Sequence, residues 1–280
     1  MNIKIITDST CDLPVQLLAE HNIALTPLTV VKGDEQFKDG VTITPEEIFA
    51  HVAAGGALCS TAANSIGEYQ DQYEKFNADY DGILMITIGS GFSACYQNAC
   101  LAAEDYPKVR VIDSQNLTTG QGLVVLKACE LAKTATDLEA LAEELRQYTG
   151  KIESSFVVDK LDYLVKGGRC SSAAALGANL LNLKPCIDVK DGKMAVGKKY
   201  RGKYDKCLAS YVRERLADRD DINWDTVFTT HTQISEEIYS TVMAALAECG
   251  RFEKVYDAVA GCTISCHCGP GTFGIIFARK

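Results

Sequence analysis

Through the first half of the chain, short apolar runs rich in β-branched residues alternate with helical patterns, and this rhythm narrows the possible folds more than any other feature. Residues 3–7, 82–88 and 109–113 read as buried strands. The Gly89-Ser90-Gly91 turn follows the second run and leads into a helix ending near residue 105. Two helical stretches follow the third run as far as residue 149. Residues 23–31 read as a further strand, with Gly33-Asp34 as a turn. Thr44-Pro45-Glu46-Glu47 carries three helix-start signals: a hydroxyl cap, a proline at the first helical position and the glutamate of a capping box. Gly55-Gly56 stops that helix. Strands separated by helices argue for a mostly parallel sheet covered on both faces, a three-layer αβα arrangement.

The rhythm changes in the second half. Residues 152–158 read as a strand and 171–181 as a helix. Residues 187–189 and 194–199 flank Asp191-Gly192, the strongest short hairpin signal in the chain. An amphipathic helix is expected over 203–217 and a strand over 227–230. A helix over 235–248 carries an apolar stripe at Ile238, Val242, Ala245 and Leu246. Residues 255–259, 263–266 and 273–278 read as closing strands. The hairpin predicts a mixed sheet, so the expectation is a two-domain α/β protein divided near Lys151, with units 1–151 and 152–280. The length of 280 residues accommodates two domains of ordinary size.

Hydrophobic residues make up 47% and charged residues 23%, which argues against disorder and coiled coil. No apolar run approaches the roughly 18–20 residues of a membrane span. The N-terminus enters a strand pattern directly, without the basic and apolar regions of a signal peptide, so a cytoplasmic location is expected. Twelve cysteines in a chain of this length read as reduced, mostly buried thiols and not as a disulfide scaffold. Cys262, Cys266, His267 and Cys268 are dense enough to raise a metal-dependent binding module, but they lack the paired Cys-x-x-Cys knuckles of a structural zinc site, and no metal is expected. Net charge is −9, unevenly spread: residues 1–152 hold 10 basic and 21 acidic side chains, residues 153–280 hold 18 and 16. The basic stretch 184–206 is either a solvated strand surface or a docking patch for an acidic partner. Nucleic acid is disfavoured by the acidic whole and the lack of aromatic-basic alternation.

Three segments are candidates for chemistry: Cys59-Ser60-Thr61-Ala62-Ala63-Asn64, Gly89-Ser90-Gly91-Phe92-Ser93-Ala94-Cys95, and His267-Cys268-Gly269-Pro270-Gly271. All three read as loops. The second lies at the carboxyl end of a strand, where open α/β sheets bind ligands. A helix starting near Ser93 would present free backbone N–H groups to an anion. Two chemistries fit. Ser93 could be the nucleophile of a serine hydrolase with His267 as base, although Cys95 stands where the nucleophile elbow wants glycine and the acid is open between Asp188 and Asp257. Alternatively, Thr61, Ser93 and His267 donate hydrogen bonds to a carboxylate that does not react. Tyr163-Leu164-Val165-Lys166-Gly167-Gly168-Arg169 reads either as a turn with a solvated arginine or as a close backbone approach beside an oxyanion-binding guanidinium.

Taken in order, these motifs resemble the DegV family of fatty-acid-binding proteins over essentially the whole chain. The resemblance rests on Thr7-Asp8-Ser9-Thr10 with Asp12-Leu13-Pro14, Asp39-Gly40, Ser60-Thr61, Ser90-Gly91-Phe92-Ser93 with Tyr96-Gln97-Asn98-Ala99, residues 161–169, Lys184-Pro185, Asp191-Gly192, and His267 with Gly269-Pro270-Gly271 and Gly274. It implies one long-chain fatty acid bound between the two domains, with its carboxylate held by Thr61, Ser93 and His267. It also implies a protein without catalysis of its own that presents the fatty acid to the separate kinase subunit of a bacterial fatty acid kinase. Arg169 and Arg201 are then the partner-docking candidates, and no cofactor beyond the fatty acid ligand is implied. The chain departs from the family pattern at Ala94 and Cys95, where Gly and Thr are usual, and at Ala62-Ala63-Asn64, where Gln-Pro-Ser is usual. Both departures leave the hydroxyls of the seat in place.

Overall fold

The computed structural model describes residues 1–175 and 183–280. Three sheets organise them. The first is parallel, in the order β2 (Ala24–Thr26), β1 (Ile3–Asp8), β6 (Gly82–Thr87), β7 (Val109–Asp113). Successive side chains of a strand face opposite ways, and the two faces are filled differently. Ile6, Ile83 and Met85 pack on α3 (Ile66–Asn77) and α4 (Cys95–Ala103). Ile5, Leu84 and Ile86 pack on α5 (Thr118–Ala132) and α6 (Leu138–Thr149).

The second sheet is mixed, ordered β10 (Lys193–Arg201), β9 (Leu183–Lys190), β8 (Ile152–Val157), β13 (Phe273–Arg279), β11 (Ile222–His231), β12 (Lys254–Val259). Only β11 and β12 run parallel. One face is covered by α9 (Tyr204–Leu216) and α10 (Glu236–Cys249). The other meets α5, which lies between the two sheets and is buried along most of its length. The α/β class and the mixed second sheet expected from the sequence are therefore both present. Asp191 (φ 51°) and Gly192 (φ 69°) make the left-handed pair that the β9–β10 hairpin requires.

Several local expectations need correction. Residues 23–31 do not form one strand. Pro27 interrupts them, and β2 enters the parallel sheet while β3 (Thr29–Lys32) enters a third, antiparallel sheet between β4 (Glu35–Lys38) and β5 (Ser60–Ala62). The Thr61 segment is thus a strand, not a loop. Residues 263–266 are not a strand either. They belong to α11 (Cys262–Cys268), which also carries His267. The helix α3, with a Ser65/Glu68 capping box, went unpredicted. The capping box of α2 (Pro45–Ala53) forms as expected, with Thr44 N donating to Glu47 Oε2 at 2.8 Å. Of the helix expected over 171–181, Ser171–Ala174 is helical, and 176–182 lie outside the described residues.

Candidate functional site

The three candidate segments meet at one cavity of about 40 Å³, whose wall includes Thr61, Ser93, Arg169 and His267. Each arrives on a different element. Thr61 sits in β5, paired with Val30 of β3. Ser93 lies in the turn after β6, at the carboxyl end of the parallel sheet. His267 is near the end of α11, and Arg169 follows α7 (Asp162–Gly167). Gly91 keeps the Ser93 turn against the β9–β10 hairpin: a Cβ there would fall 2.1 Å from the Gly192 carbonyl oxygen. That approach brings Met194 of β10 into the wall as well.

Thr61 Oγ1 and His267 Nε2 are 2.8 Å apart. The other ring nitrogen, Nδ1, is buried without a hydrogen-bond partner among the described residues, with the bare Cα of Gly167 against it. Burial pushes the His267 pKa down to about 4, and the charge of Arg169 pushes the same way. The imidazole is therefore neutral across the physiological range, with one N–H to donate. Ser93 Oγ donates to Cys95 Sγ at 3.1 Å and accepts from Cys95 N at 3.3 Å. It is not the cap of α4, which begins two residues later behind Ala94. Arg169 is exposed, donating from Nη1 to Gly167 O at 2.7 Å and from Nε to Phe92 O at 3.4 Å.

The remaining candidates lie elsewhere. Arg201 is exposed at the far end of β10 from Met194, roughly 20 Å away at about 3.3 Å per strand residue. Asp188 is engaged by Arg215. Asp257 accepts from Thr229 Oγ1 at 2.8 Å and lies 3.4 Å from His231. Neither proposed acid is on His267. Cys262 Sγ donates to the Ile43 carbonyl, and Cys266 shares an apolar cluster with Cys59. Among the described residues no group of three or more His, Cys, Asp or Glu side chains is placed to hold a metal ion.

Away from its polar end the cavity is lined by Phe92, Leu117, Met194, Ile264 and Cys268. Leu117, Ile264 and Cys268 also wall a second cavity of about 20 Å³, which continues over Phe156, Val189 and Ile276 into the space between α5 and the mixed sheet. Nothing in the sequence marks these residues as a wall, because apolar side chains of a cavity and of a core carry the same signal. The site thus has two hydroxyls, a neutral imidazole and the exposed Arg169 guanidinium at one end and an apolar path leading inward. That is the design of a pocket for an amphipathic acid.

A family model described as "Uncharacterised protein, DegV family" matches residues 2–280. The chain is 32% identical over 285 residues to a DegV domain-containing protein of Caldanaerobacter subterraneus subsp. tengcongensis, covering 99% of each. Among solved structures, it resembles a Thermus thermophilus DegV family protein described for its fatty acid binding, with a TM-score of 0.90, 30% identity and complete coverage of both chains. It also resembles Bacillus subtilis DegV, described as a fatty acid binding protein, with a TM-score of 0.85, 28% identity and complete coverage of both chains.

Proposed function

The chain belongs to the DegV family, and on that premise we propose that it binds a long-chain fatty acid, with the carboxylate at Thr61, Ser93 and His267. The single observation carrying this reading is the Thr61–His267 pair, 2.8 Å apart at the polar end of an otherwise apolar cavity. A carboxylate there takes hydroxyl and imidazole hydrogen bonds without a buried fixed charge beside it. The acyl chain runs past Leu117, Ile264 and Cys268 toward the second cavity, between units 1–151 and 152–280, and each methylene removed from water contributes about 0.8 kcal/mol. Cavities of about 40 and 20 Å³ hold a few waters and not a long acyl chain. In this reading the wall therefore parts on entry.

In this reading the protein performs no catalysis itself and presents the bound acid to a kinase subunit that phosphorylates the carboxylate. Arg169, exposed in the cavity wall, meets that partner in this reading, and Arg201, exposed on β10, extends the contact. Arg201→Ala should leave fatty acid occupancy unchanged while lowering acyl phosphate formation by a cognate kinase; equal turnover excludes Arg201 from docking.

The binding reading is tested by native mass spectrometry of the purified protein. The wild type should carry a fatty acid, and Thr61→Ala with Ser93→Ala should lose it while remaining folded. Full ligand retention by the double variant would place the carboxylate elsewhere.

A further inference from the structure

The helix that carries His267 cannot hold its own start. α11 has seven residues, far below the length at which an isolated helix is stable, and Gly261 at its N-cap offers no side chain to its first amides. Those amides instead reach carboxyl groups from the opposite end of the chain. Cys262 N donates to Asp39 Oδ1 at 2.8 Å, and Thr263 donates to Asp39 Oδ2 from its N at 3.2 Å and from its Oγ1 at 2.7 Å. Gly261 N donates to Asp12 Oδ1 at 3.0 Å. Asp39 is 4% exposed and is itself held by Ser9 Oγ at 3.0 Å. It follows β4 directly, and β4 and β5 flank β3 in one small sheet. The sheet that bears Thr61 therefore also bears the side chain that grips the base of the His267 helix.

We propose that Asp39 is a positioning residue of the fatty acid seat: by capping α11 from the Thr61 sheet, it sets the distance between Thr61 and His267. The inference rests on the seat reading above. Its chemistry is that of a helix start whose buried amides have no other acceptor. Removing the carboxylate leaves them unpaired, and α11 shifts to find partners. Because β5 keeps its own ladder to β3, Thr61 stays while His267 moves.

A double-mutant cycle with oleate as the probe tests this. Asp39→Asn should weaken oleate binding roughly tenfold in the wild-type background, the loss of one charge-assisted hydrogen bond, and less than about twofold in a His267→Ala background. In ligand-free protein, the His267 imidazole resonances should move in Asp39→Asn. Thr263→Val, which deletes one bond to Asp39 from the helix side, should move them in the same direction and serves if Asp39→Asn does not fold. Losses that multiply independently, with His267 resonances unmoved, would overturn the proposal. Undiminished oleate binding by His267→Ala would instead count against the seat, and the resonance measurement would still decide the role of Asp39.

Discussion

Gly167 lies so close to His267 that a Cβ on residue 167 would stand 2.6 Å from Nδ1, inside any real carbon–nitrogen contact. The backbone at Gly167 is the last turn of α7 and does not call for glycine. In a helix, alanine would be favoured by up to about 1 kcal/mol. Gly167→Ala therefore separates the two influences. The thermal midpoint should change by no more than about 3 °C, because the local gain offsets part of the clash. Fatty acid affinity should fall at least roughly tenfold as the imidazole is pushed off Thr61. A variant that copurifies with full ligand would mean the ring has room that the close approach denies.

Arg169 is the charged neighbour of that ring. Burial is the larger reason that His267 sits near 4, and the guanidinium adds to it. Arg169→Gln should raise the His267 pKa while leaving it below the ordinary value of 6.5, followed by imidazole resonances across pH 3–8. The stability consequence has a definite sign. A histidine whose folded pKa is depressed contributes stability present above about 6.5 and lost as pH falls toward 4, since the unfolded chain takes up the proton first. Arg169→Gln should reduce that acid-side loss. An unchanged titration would show that the guanidinium charge does not reach the ring.

Much of this architecture is legible because its signals are local. The Asp191-Gly192 hairpin, the Thr44 capping box and the apolar runs of β6 and β7 each need only neighbours in sequence. α11 is illegible for the opposite reason. Thr263-Ile264-Ser265-Cys266 alternates polar and apolar like a strand, and it becomes a helix through Asp39 and Asp12, more than 200 residues away. Likewise the three-residue β5 shows no pattern without β3 beside it, and Pro27 divides an apparently continuous strand between two sheets. The hydroxyls and imidazole of the cavity stand out as residue types. Their apolar wall does not, because Leu117 and Ile264 look like any other core side chain.

Ser93 invites a chemical test because it follows a strand and precedes a helix. A hydrolase needs His267 on the serine and an acid on His267. Instead Ser93 Oγ donates to Cys95, His267 Nε2 faces Thr61, and Asp188 and Asp257 are engaged by Arg215 and Thr229. A fluorophosphonate probe should leave Ser93 unlabelled at concentrations that saturate a serine hydrolase, as read by intact mass. A stoichiometric adduct on Ser93 would overturn the binding-only reading.

Asp12 links the starts of two helices. Its Oδ2 lies 2.6 Å from Thr118 Oγ1 at the beginning of α5, and its Oδ1 accepts from Gly261 N before α11. Burial pushes its pKa up to about 8. Between about pH 4 and 8 the folded protein thus holds a proton that the unfolded chain has released. Stability is fully present below about 4 and is lost as pH rises toward 8. Asp8, pushed up to about 7 by burial, slopes the same way. Asn at position 12 mimics the protonated carboxyl: its oxygen accepts from Gly261, and its amide donates to the Thr118 hydroxyl. Urea unfolding of Asp12→Asn should therefore gain on wild type by about 1.4 kcal/mol per pH unit between pH 5 and 7, one proton's worth. The two curves should become parallel above pH 8, where folded and unfolded Asp12 are both ionised. Parallel curves from pH 5 upward would show that the carboxylate stays charged in the fold, with its two hydrogen bonds outweighing its burial.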